Sequence, residues 1–271
     1  MPFVNSNGAQ IHWEAQGSGT PVLLMMGHLY SSKMWYPLIP ELAKRHRVIT
    51  FDNRGTGLSD TTGGVTMEQL AADALAVLDA AGEQAAHVYG VSMGGGTAYE
   101  FAMAYPERTL SATLGCTVLK TGDAERGKAR VPWVYYVPRP LLRLLLRLTA
   151  KPAAYGSAAP AAAVAHDRAV LARDRWTVKG VREQNLAING YTTTRERAQA
   201  RMTMPVLVLH GDEDQLVPVE HGRELHAVLP HSELVVFPGA GHNFLVAAGE
   251  KATHAFTDFI ERVDAGQAKT G

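Results

Sequence analysis

The residues with the clearest chemical potential form a short glycine-rich segment around Ser92. Gly90 and Gly94 flank the serine in the pattern G-x-S-x-G, and two further glycines follow it, Gly95 and Gly96. Glycines are unfavourable at a helix start, since each costs roughly 1 kcal/mol relative to alanine inside a helix. A serine on a tight strand-to-helix turn nevertheless needs them, because strand and helix approach too closely for side chains. The pattern predicts that Ser92 is a nucleophile at a helix N-terminus, where backbone N–H groups favour developing negative charge.

A nucleophilic serine needs a base, and the base needs a carboxylate that orients it. Downstream of Ser92, Asp212 and Asp214 lie between an apolar run and a helical pattern in "LHGDEDQLVP". Further on, His242 lies in a loop after the last apolar run, in "VFPGAGHNF". These positions predict a triad of Ser92, His242 and one of the two aspartates. Spacing alone leaves both aspartates as candidates.

The other histidines and the cysteine do not indicate a metal site. The chain has 11 histidines, but no pair of them has a spacing typical of zinc ligands. Cys116 is the single cysteine of the sequence and has no partner for a thiolate site or an internal disulfide. We therefore expect a reaction that needs neither a metal ion nor an organic cofactor.

Strand-like and helical segments alternate along most of the chain. Short apolar runs that end near glycine or a polar residue are typical of buried parallel strands. They occupy residues 22–27, 46–52, 85–90, 110–116, 205–211 and 232–239. Helical patterns occupy residues 34–45, 66–82, 94–107, 219–230 and 247–263. The alternation predicts an α/β fold with a mainly parallel sheet flanked by helices, and Asn7-Gly8 predicts an antiparallel hairpin at its edge.

The alternation breaks between residues 120 and 202, a segment rich in alanine, arginine and helix formers. It is too long for an ordinary connection. We predict an inserted helical cap over the carboxyl ends of the strands, where open α/β sheets bind ligands. Residues 1–119 and 203–271 then form the core. Within the cap, residues 138–148 have the pattern of a short amphipathic helix.

The bulk composition fits a globular enzyme and argues against several kinds of partner. Hydrophobic residues make up 46% and charged residues 19%, as in folded domains rather than disordered chains. Basic and acidic residues number 26 each, so no global charge attracts nucleic acid or an anionic membrane. The N-terminus has no visible secretory signal, and no apolar stretch reaches the roughly 20 residues of a membrane span. We expect a cytoplasmic protein, and the predicted serine triad indicates that its partner is a small-molecule substrate with an acyl group.

Four motifs together resemble the α/β-hydrolase superfamily over nearly the whole chain. They are "FDNRGTGLSD" at 51–60, "GVSMG" at 90–94, "GDEDQLVP" at 211–218 and "GAGH" at 239–242. The order of serine, aspartate and histidine also matches that family. The resemblance implies the serine hydrolase branch, because branches with halide or epoxide chemistry have an aspartate in place of Ser92. In the family pattern the acid falls on Asp214, which leaves Asp212 as a loop or cap residue.

The resemblance also implies an oxyanion hole made of two backbone N–H groups. One belongs to Met93, directly after the nucleophile. The other belongs to His28, in the loop after the run at 22–27, with Leu29 as the neighbouring alternative. Met26 stands where relatives usually have histidine, a departure that a main-chain donor tolerates. The His28 ring either points toward substrate or is incidental.

The function implied is that of a serine hydrolase that cleaves a small carboxylic ester or lactone through an acyl-enzyme on Ser92. Small esterases, enol-lactonases and polyketide methylesterases are the branches that the chain resembles. Two alternatives stay open within the fold, a cofactor-free perhydrolase and a carbon–carbon bond hydrolase. A third is a ligand-binding protein with little turnover.

Overall fold

The computed structural model describes residues 2–61, 64–118, 154–229 and 231–267. Their strands are β1 Phe3–Ser6, β2 Ala9–Gln16, β3 Pro21–Met25, β4 Arg47–Phe51, β5 Ala86–Val91, β6 Thr109–Gly115, β7 Val206–Gly211 and β8 Glu233–Phe237. They form one sheet in the order β1-β2-β4-β3-β5-β6-β7-β8. From β4 to β8 the neighbours are parallel, whereas β2 runs antiparallel to β1 and β4. The predicted α/β fold with a mainly parallel sheet is confirmed.

The α-helices of these residues are α1 Ile39–Leu42, α2 Met67–Ala80, α3 Met93–Ala104, α4 Ala161–Arg173, α5 Val178–Gly190, α6 Arg195–Arg201, α7 Glu220–Val228, α8 Phe244–Ala247 and α9 Glu250–Asp264. The helices pack on both faces of the sheet. Alternate side chains of a strand point to opposite faces and therefore contact different helices. Leu23 and Met25 of β3 pack in one core cluster with α2 and α3. Val22 and Leu24 pack in a second cluster with α9.

The predicted hairpin at the N-terminal edge of the sheet is confirmed. β1 and β2 pair in an antiparallel register that places Ser6 opposite Ala9. Asn7 and Gly8 between them have φ values of 46° and 81°. Two consecutive positive φ values are what a tight two-residue hairpin turn requires, and asparagine followed by glycine adopts them most readily.

The helix predicted over residues 34–45 is wrong in its extent. The structure has a 3₁₀ turn at Ser32–Trp35 and then only the single turn of α1. Pro37 and Pro40 explain the difference, since proline lacks the N–H that a helix interior needs and disfavours helical conformation in the residue before it. Apolar periodicity was present, but the two prolines divide the segment.

The segment predicted as a cap is described from residue 154 onward. Helices α4, α5 and α6 lie there, without a sheet strand between β6 and β7 in the described residues. The predicted helix at 138–148 lies outside the described residues. That residues 120–202 form a separate cap stays a prediction, and so do its boundaries with the core.

None of the described helices is long and apolar enough to cross a membrane.

Candidate active site

Ser92 lies on the turn that joins β5 to α3. Its backbone has φ 56° and ψ −121°, a region that residues with a side chain rarely enter. The flanking glycines allow the turn to close. A Cβ atom on Gly90 would lie 1.9 Å from the carbonyl oxygen of Gly94, and one on Gly94 would lie 2.0 Å from that of Met25. Both positions therefore require glycine, as the G-x-S-x-G pattern predicts.

Gly95 and Gly96 let helix α3 lie close to its neighbours. A Cβ atom on Gly95 would come within 2.7 Å of the Thr117 side chain, just after β6. A Cβ atom on Gly96 would come within 2.9 Å of the Met67 side chain on α2. The low helix propensity of these glycines is thus offset by close packing directly behind the serine.

Asp214 and His242 are in contact, as their positions after β7 and β8 predicted. Nδ1 of His242 donates a hydrogen bond to Oδ2 of Asp214 at 2.7 Å, and the Asp214 side chain is fully buried. The other carboxylate oxygen, Oδ1, accepts the backbone N–H groups of Leu216 and Val217, both at 2.8 Å. The carboxylate is therefore held by the turn after β7 and in turn orients the imidazole.

The neighbouring candidates make structural contacts instead. Asp212 is exposed, and its Oδ1 accepts the backbone N–H of Gly239 at 2.6 Å, which ties the loop after β7 to the loop after β8. The His210 side chain is buried, and its Nε2 lies 2.8 Å from the carbonyl oxygen of Val217 and 3.5 Å from Oδ2 of Asp214. Asp214, not Asp212, is the carboxylate that contacts the imidazole of His242.

The topology explains why residues so far apart in sequence meet. Strands β5, β6, β7 and β8 are adjacent and parallel, so their carboxyl ends lie at one edge of the sheet. Ser92, Cys116, Asp214 and His242 follow these four strands in that order. A binding site at the carboxyl ends of the strands is the usual location in open α/β sheets.

These contacts shift the pKa values of the acid and the base in opposite directions. Burial alone would raise the pKa of the Asp214 carboxyl, but hydrogen bonds from His210, His242 and the Val217 N–H lower it. Burial alone would lower the pKa of the His242 imidazole, but the adjacent Cys116 sulfur and the Asp214 carboxylate raise it. Asp214 is therefore ionised at neutral pH, and its charge favours the protonated form of His242.

Cys116 is a site residue that the sequence reasoning missed. It follows β6 with φ 39° and is only 2% exposed. Its sulfur and one ligand atom each of Asp214 and His242 all lie within 4.8 Å of one another. The strand order could have identified Cys116, because the residue after β6 must lie between the ends of β5 and β7. Asp214 and His242 already bond to each other, so their proximity is explained without a metal ion.

The loop after β3 lies against the serine turn. A Cβ atom on Gly27 would be 3.3 Å from Cβ of Ser92, so Gly27 lies against the serine. Met93 is the first residue of α3, and its N–H belongs to the first helical turn, which has no acceptor inside the helix. Of the two predicted oxyanion donors, Met93 thus follows Ser92 directly, and His28 follows a glycine that lies against Ser92.

The two alternatives for the second donor differ in their contacts. The N–H of Leu29 donates to Oε1 of Gln184 at 3.1 Å, so it is already used. The ring of His28 faces helix α5, where its Nε2 donates to the carbonyl of Val181 at 2.9 Å. Because its N–H is engaged in the hydrogen bond to Gln184, Leu29 is the weaker candidate for the second oxyanion donor. The sequence analysis left open whether the His28 ring points toward substrate or is incidental. In the structure the ring makes a contact with helix α5.

The "FDNRGTGLSD" loop supports the loop after β3. Asn53 donates from Nδ2 to the carbonyl of Met26 at 2.8 Å. Asp52 accepts from the backbone N–H and the hydroxyl of Ser32, at 2.9 and 2.8 Å. The Met26 side chain is 3% exposed and packs in the second core cluster. Methionine therefore fills the usual histidine position by apolar packing.

A cavity opens beside Ser92, and its lining in the described residues is mainly apolar. Its walls include Met67, Met93, Val118, Ile188, Tyr191 and Val217. Ile188 lies on α5 and Tyr191 directly follows that helix. The described part of the predicted cap therefore supplies one wall of the cavity.

Several known proteins resemble this chain in sequence and in fold. The sequence profile of the alpha/beta hydrolase fold matches residues 20–247. A protein of Azorhizobium caulinodans that bears the name of a carbamate hydrolase, RutD, is 30% identical over 97% of this chain and 100% of its own. A non-heme haloperoxidase of Rhodococcus erythropolis is 29% identical over 96% and 100%. The solved structure of a thermophilic esterase from Thermogutta terrifontis superposes with a TM-score of 0.85 and 26% identity, over 97% of this chain and 98% of the other.

Proposed function

This chain belongs to the α/β-hydrolase fold family, and from that membership we propose that it is a serine hydrolase that cleaves a small carboxylic ester or lactone. The observation that carries the proposal is the hydrogen bond between His242 and Asp214 at the same sheet edge as the strained turn of Ser92. A nucleophile, a base and an orienting carboxylate in adjacent positions are the parts that acyl transfer requires.

In the proposed reaction, the hydroxyl oxygen of Ser92 attacks the substrate carbonyl, and His242 takes its proton. The backbone N–H groups of Met93 and His28 stabilise the oxyanion of the tetrahedral intermediate. His242 then gives the proton to the leaving alcohol as the ester bond breaks, which leaves an acyl group on Ser92. Water, activated by His242, attacks this acyl-enzyme and releases the acid. Asp214 keeps its charge throughout and holds the imidazole in the correct tautomer.

The cavity supports a small apolar acyl group as the preferred substrate part. Methionine, valine and isoleucine side chains surround the space next to Ser92, and the polar groups of the wall are few. Apolar walls with a few placed polar groups are typical of sites for small organic ligands. The likeness to a thermophilic esterase is consistent with an ester substrate.

A panel of p-nitrophenyl esters and simple lactones tests this proposal. We expect the wild-type protein to hydrolyse short-chain esters, and Ser92→Ala to lose turnover by several orders of magnitude. Ser18→Ala, which removes an exposed serine, is the matched control and should keep full activity. No turnover on any ester or lactone, or full turnover by Ser92→Ala, would contradict the proposal and favour a ligand-binding role.

A second candidate is the cofactor-free formation of peracids, because a relative at 29% identity is named a haloperoxidase. In that reaction hydrogen peroxide replaces water in the attack on the acyl-enzyme, and the peracid formed oxidises halide. Halogenation of monochlorodimedone in acetate with peroxide and bromide measures it. We expect ester hydrolysis to exceed this activity, and a higher rate of halogenation than of hydrolysis would reverse the assignment.

A further inference from the structure

Helix α5 holds the loop after β3 at two successive positions. Nε2 of His28 donates to the carbonyl of Val181, at 2.9 Å, and the N–H of Leu29 donates to Oε1 of Gln184, at 3.1 Å. Val181 and Gln184 are three residues apart, so they lie on the same side of the helix. This face of α5 is therefore matched to the loop that carries the proposed oxyanion donor.

Leu29 needs such support because its backbone is in an unfavourable conformation. Its φ value is 78°, in the left-handed region that a leucine rarely adopts. A backbone of this kind persists only where surrounding contacts hold it. The hydrogen bond from Leu29 to Gln184 is a contact of this kind, made by the strained peptide itself.

Gln184 is a fixed acceptor rather than a mobile one. Its side chain is fully buried, and its Nε2 donates to the carbonyl of Arg54 at 2.7 Å while Oε1 accepts from Leu29. A carbonyl on one side and an N–H on the other allow only one orientation of the amide. The side chain thus links the loop after β3 to the "FDNRGTGLSD" loop.

The helix that carries Gln184 is also fixed against the core. Gly180 of α5 meets Gly55 so closely that a Cβ atom on either one would lie 2.2 to 2.3 Å from the Cα atom of the other. The N–H of Thr177 donates to the carbonyl of Gly55 at 3.0 Å. Because backbone meets backbone here, α5 cannot shift along the loop without a clash.

We propose that Gln184 is a positioning residue for the oxyanion hole. It engages the N–H of Leu29, keeps that strained peptide in place and thereby orients the preceding N–H, that of His28, toward the carbonyl oxygen attacked by Ser92. This inference rests on the proposed serine hydrolase function. It gives the described part of the predicted cap an indirect role in catalysis, through the loop after β3.

The test compares Gln184→Met with a control that disturbs the same region without touching this loop. Gln184→Met keeps the length of the side chain and removes both hydrogen bonds. Arg197→Met is the control, because Arg197 on α6 forms a bidentate ion pair with buried Glu100 on α3. We expect kcat on p-nitrophenyl butyrate to fall about 10- to 100-fold in Gln184→Met with little change in KM, since a small misplacement of a transition-state donor has this effect.

Two further measurements separate positioning from a general loss of structure. The affinity for a trifluoromethyl ketone, which forms a tetrahedral adduct on the serine, should fall in parallel with kcat/KM in Gln184→Met but not in Arg197→Met. Gln184→Glu, which keeps an acceptor for Leu29, should recover most of kcat. If Gln184→Met does not fold, Gln184→Asn, whose amide is one methylene shorter, should show the same loss.

The inference is overturned if Gln184→Met and Gln184→Asn lose no more kcat than Arg197→Met at an equal loss of thermal stability. It is also overturned if the ketone affinity of Gln184→Met stays at the wild-type value. A wild-type protein that hydrolyses esters while Gln184→Met and Gln184→Asn match the control refutes this inference alone. A wild-type protein with no ester turnover refutes the proposed function and this inference with it.

Discussion

At the scale of single residues, the two carboxylate oxygens of Asp214 have different hydrogen-bond partners. Oδ2 accepts from His242, whereas Oδ1 accepts two backbone N–H groups of the turn after β7. Asparagine at this position would keep the amide oxygen for the backbone and present an N–H₂ group to the imidazole. The substitution therefore removes the orienting carboxylate with little change to the turn.

We expect Asp214→Asn to lower kcat about 10⁴-fold, as loss of the orienting carboxylate does in other triads. Asp212→Asn is the matched control, since its side chain only accepts the N–H of Gly239 and asparagine can still do so. Steady-state kinetics on one p-nitrophenyl ester measures both. If Asp212→Asn lowers kcat by orders of magnitude while Asp214→Asn leaves kcat nearly unchanged, the assignment of Asp214 as the orienting carboxylate is wrong.

The Cys116 sulfur raises the pKa of His242, so we predict that its removal shifts the pH dependence of activity. Because neutral His242 is the proposed base and its pKa is raised, activity should increase with pH along a limb that lies above the ordinary histidine value of about 6.5. Cys116→Ala removes one influence that raises this pKa, so the limb should move to lower pH. The profile of kcat/KM measures the position of the limb.

Met67→Leu is the control for this experiment, because it changes the lining of the same cavity without altering a polar group beside the imidazole. Its limb should coincide with that of the wild type. An unmoved limb in Cys116→Ala would show that the thiol has no influence on His242.

At the scale of elements, the close approach of α3 to the sheet decides where glycine is needed. Gly94 and Gly190 are both helix glycines, but only Gly94 lies against backbone. Its added Cβ atom would meet the Met25 carbonyl oxygen at 2.0 Å, whereas that of Gly190 has no atom within 4 Å. The two positions therefore form a matched pair for a single substitution.

We expect Gly94→Ala to lower the free energy of unfolding by about 3 kcal/mol or more, through overpacking against backbone. Gly190→Ala should leave it unchanged or raise it by up to about 1 kcal/mol, since alanine has the higher helix propensity. Urea unfolding of both variants gives the two values. Equal stability of the two would contradict the close packing of α3.

The elements also show what the sequence could and could not predict. Apolar runs located the six parallel strands, because strands buried on both faces need continuous apolar residues. The helix at 34–45 failed because Pro37 and Pro40 interrupt its periodicity. Gln184 was not found, since it is one of many polar residues on a helix and its partners, Leu29 and Arg54, lie more than a hundred residues away. The contacts of Gln184 join segments that are distant in sequence, so only the three-dimensional structure defines them.

At the scale of the whole molecule, buried histidines predict how stability depends on pH. Burial lowers the pKa of His28, His46 and His87 in the folded protein. Below about pH 6.5 the unfolded chain therefore binds protons that these folded side chains do not, so acidification favours unfolding. His242 has the opposite sign, because its raised pKa stabilises the folded state below about pH 6.5, and that contribution is lost as pH rises through its folded value.

We expect the free energy of unfolding to fall from pH 7 to pH 5, and to fall more steeply in His242→Gln, which lacks the opposing group. Chemical denaturation at several pH values in this range measures both slopes. His46 contributes to the lowered pKa of His87, so the contributions of these two histidines to the slope do not simply add. A shallower slope in His242→Gln than in the wild type would contradict the assigned directions.

The covalent chemistry of Ser92 is the central claim, and labelling by a fluorophosphonate tests it most directly. Mass spectrometry of the labelled protein should show one adduct, and peptide mapping should place it on Ser92 within the 90–94 motif. The label should be absent from Ser92→Ala and should form much more slowly in Asp214→Asn, because the reagent requires an activated serine. An adduct on a different residue, or no adduct on a protein that still hydrolyses esters, would contradict the account.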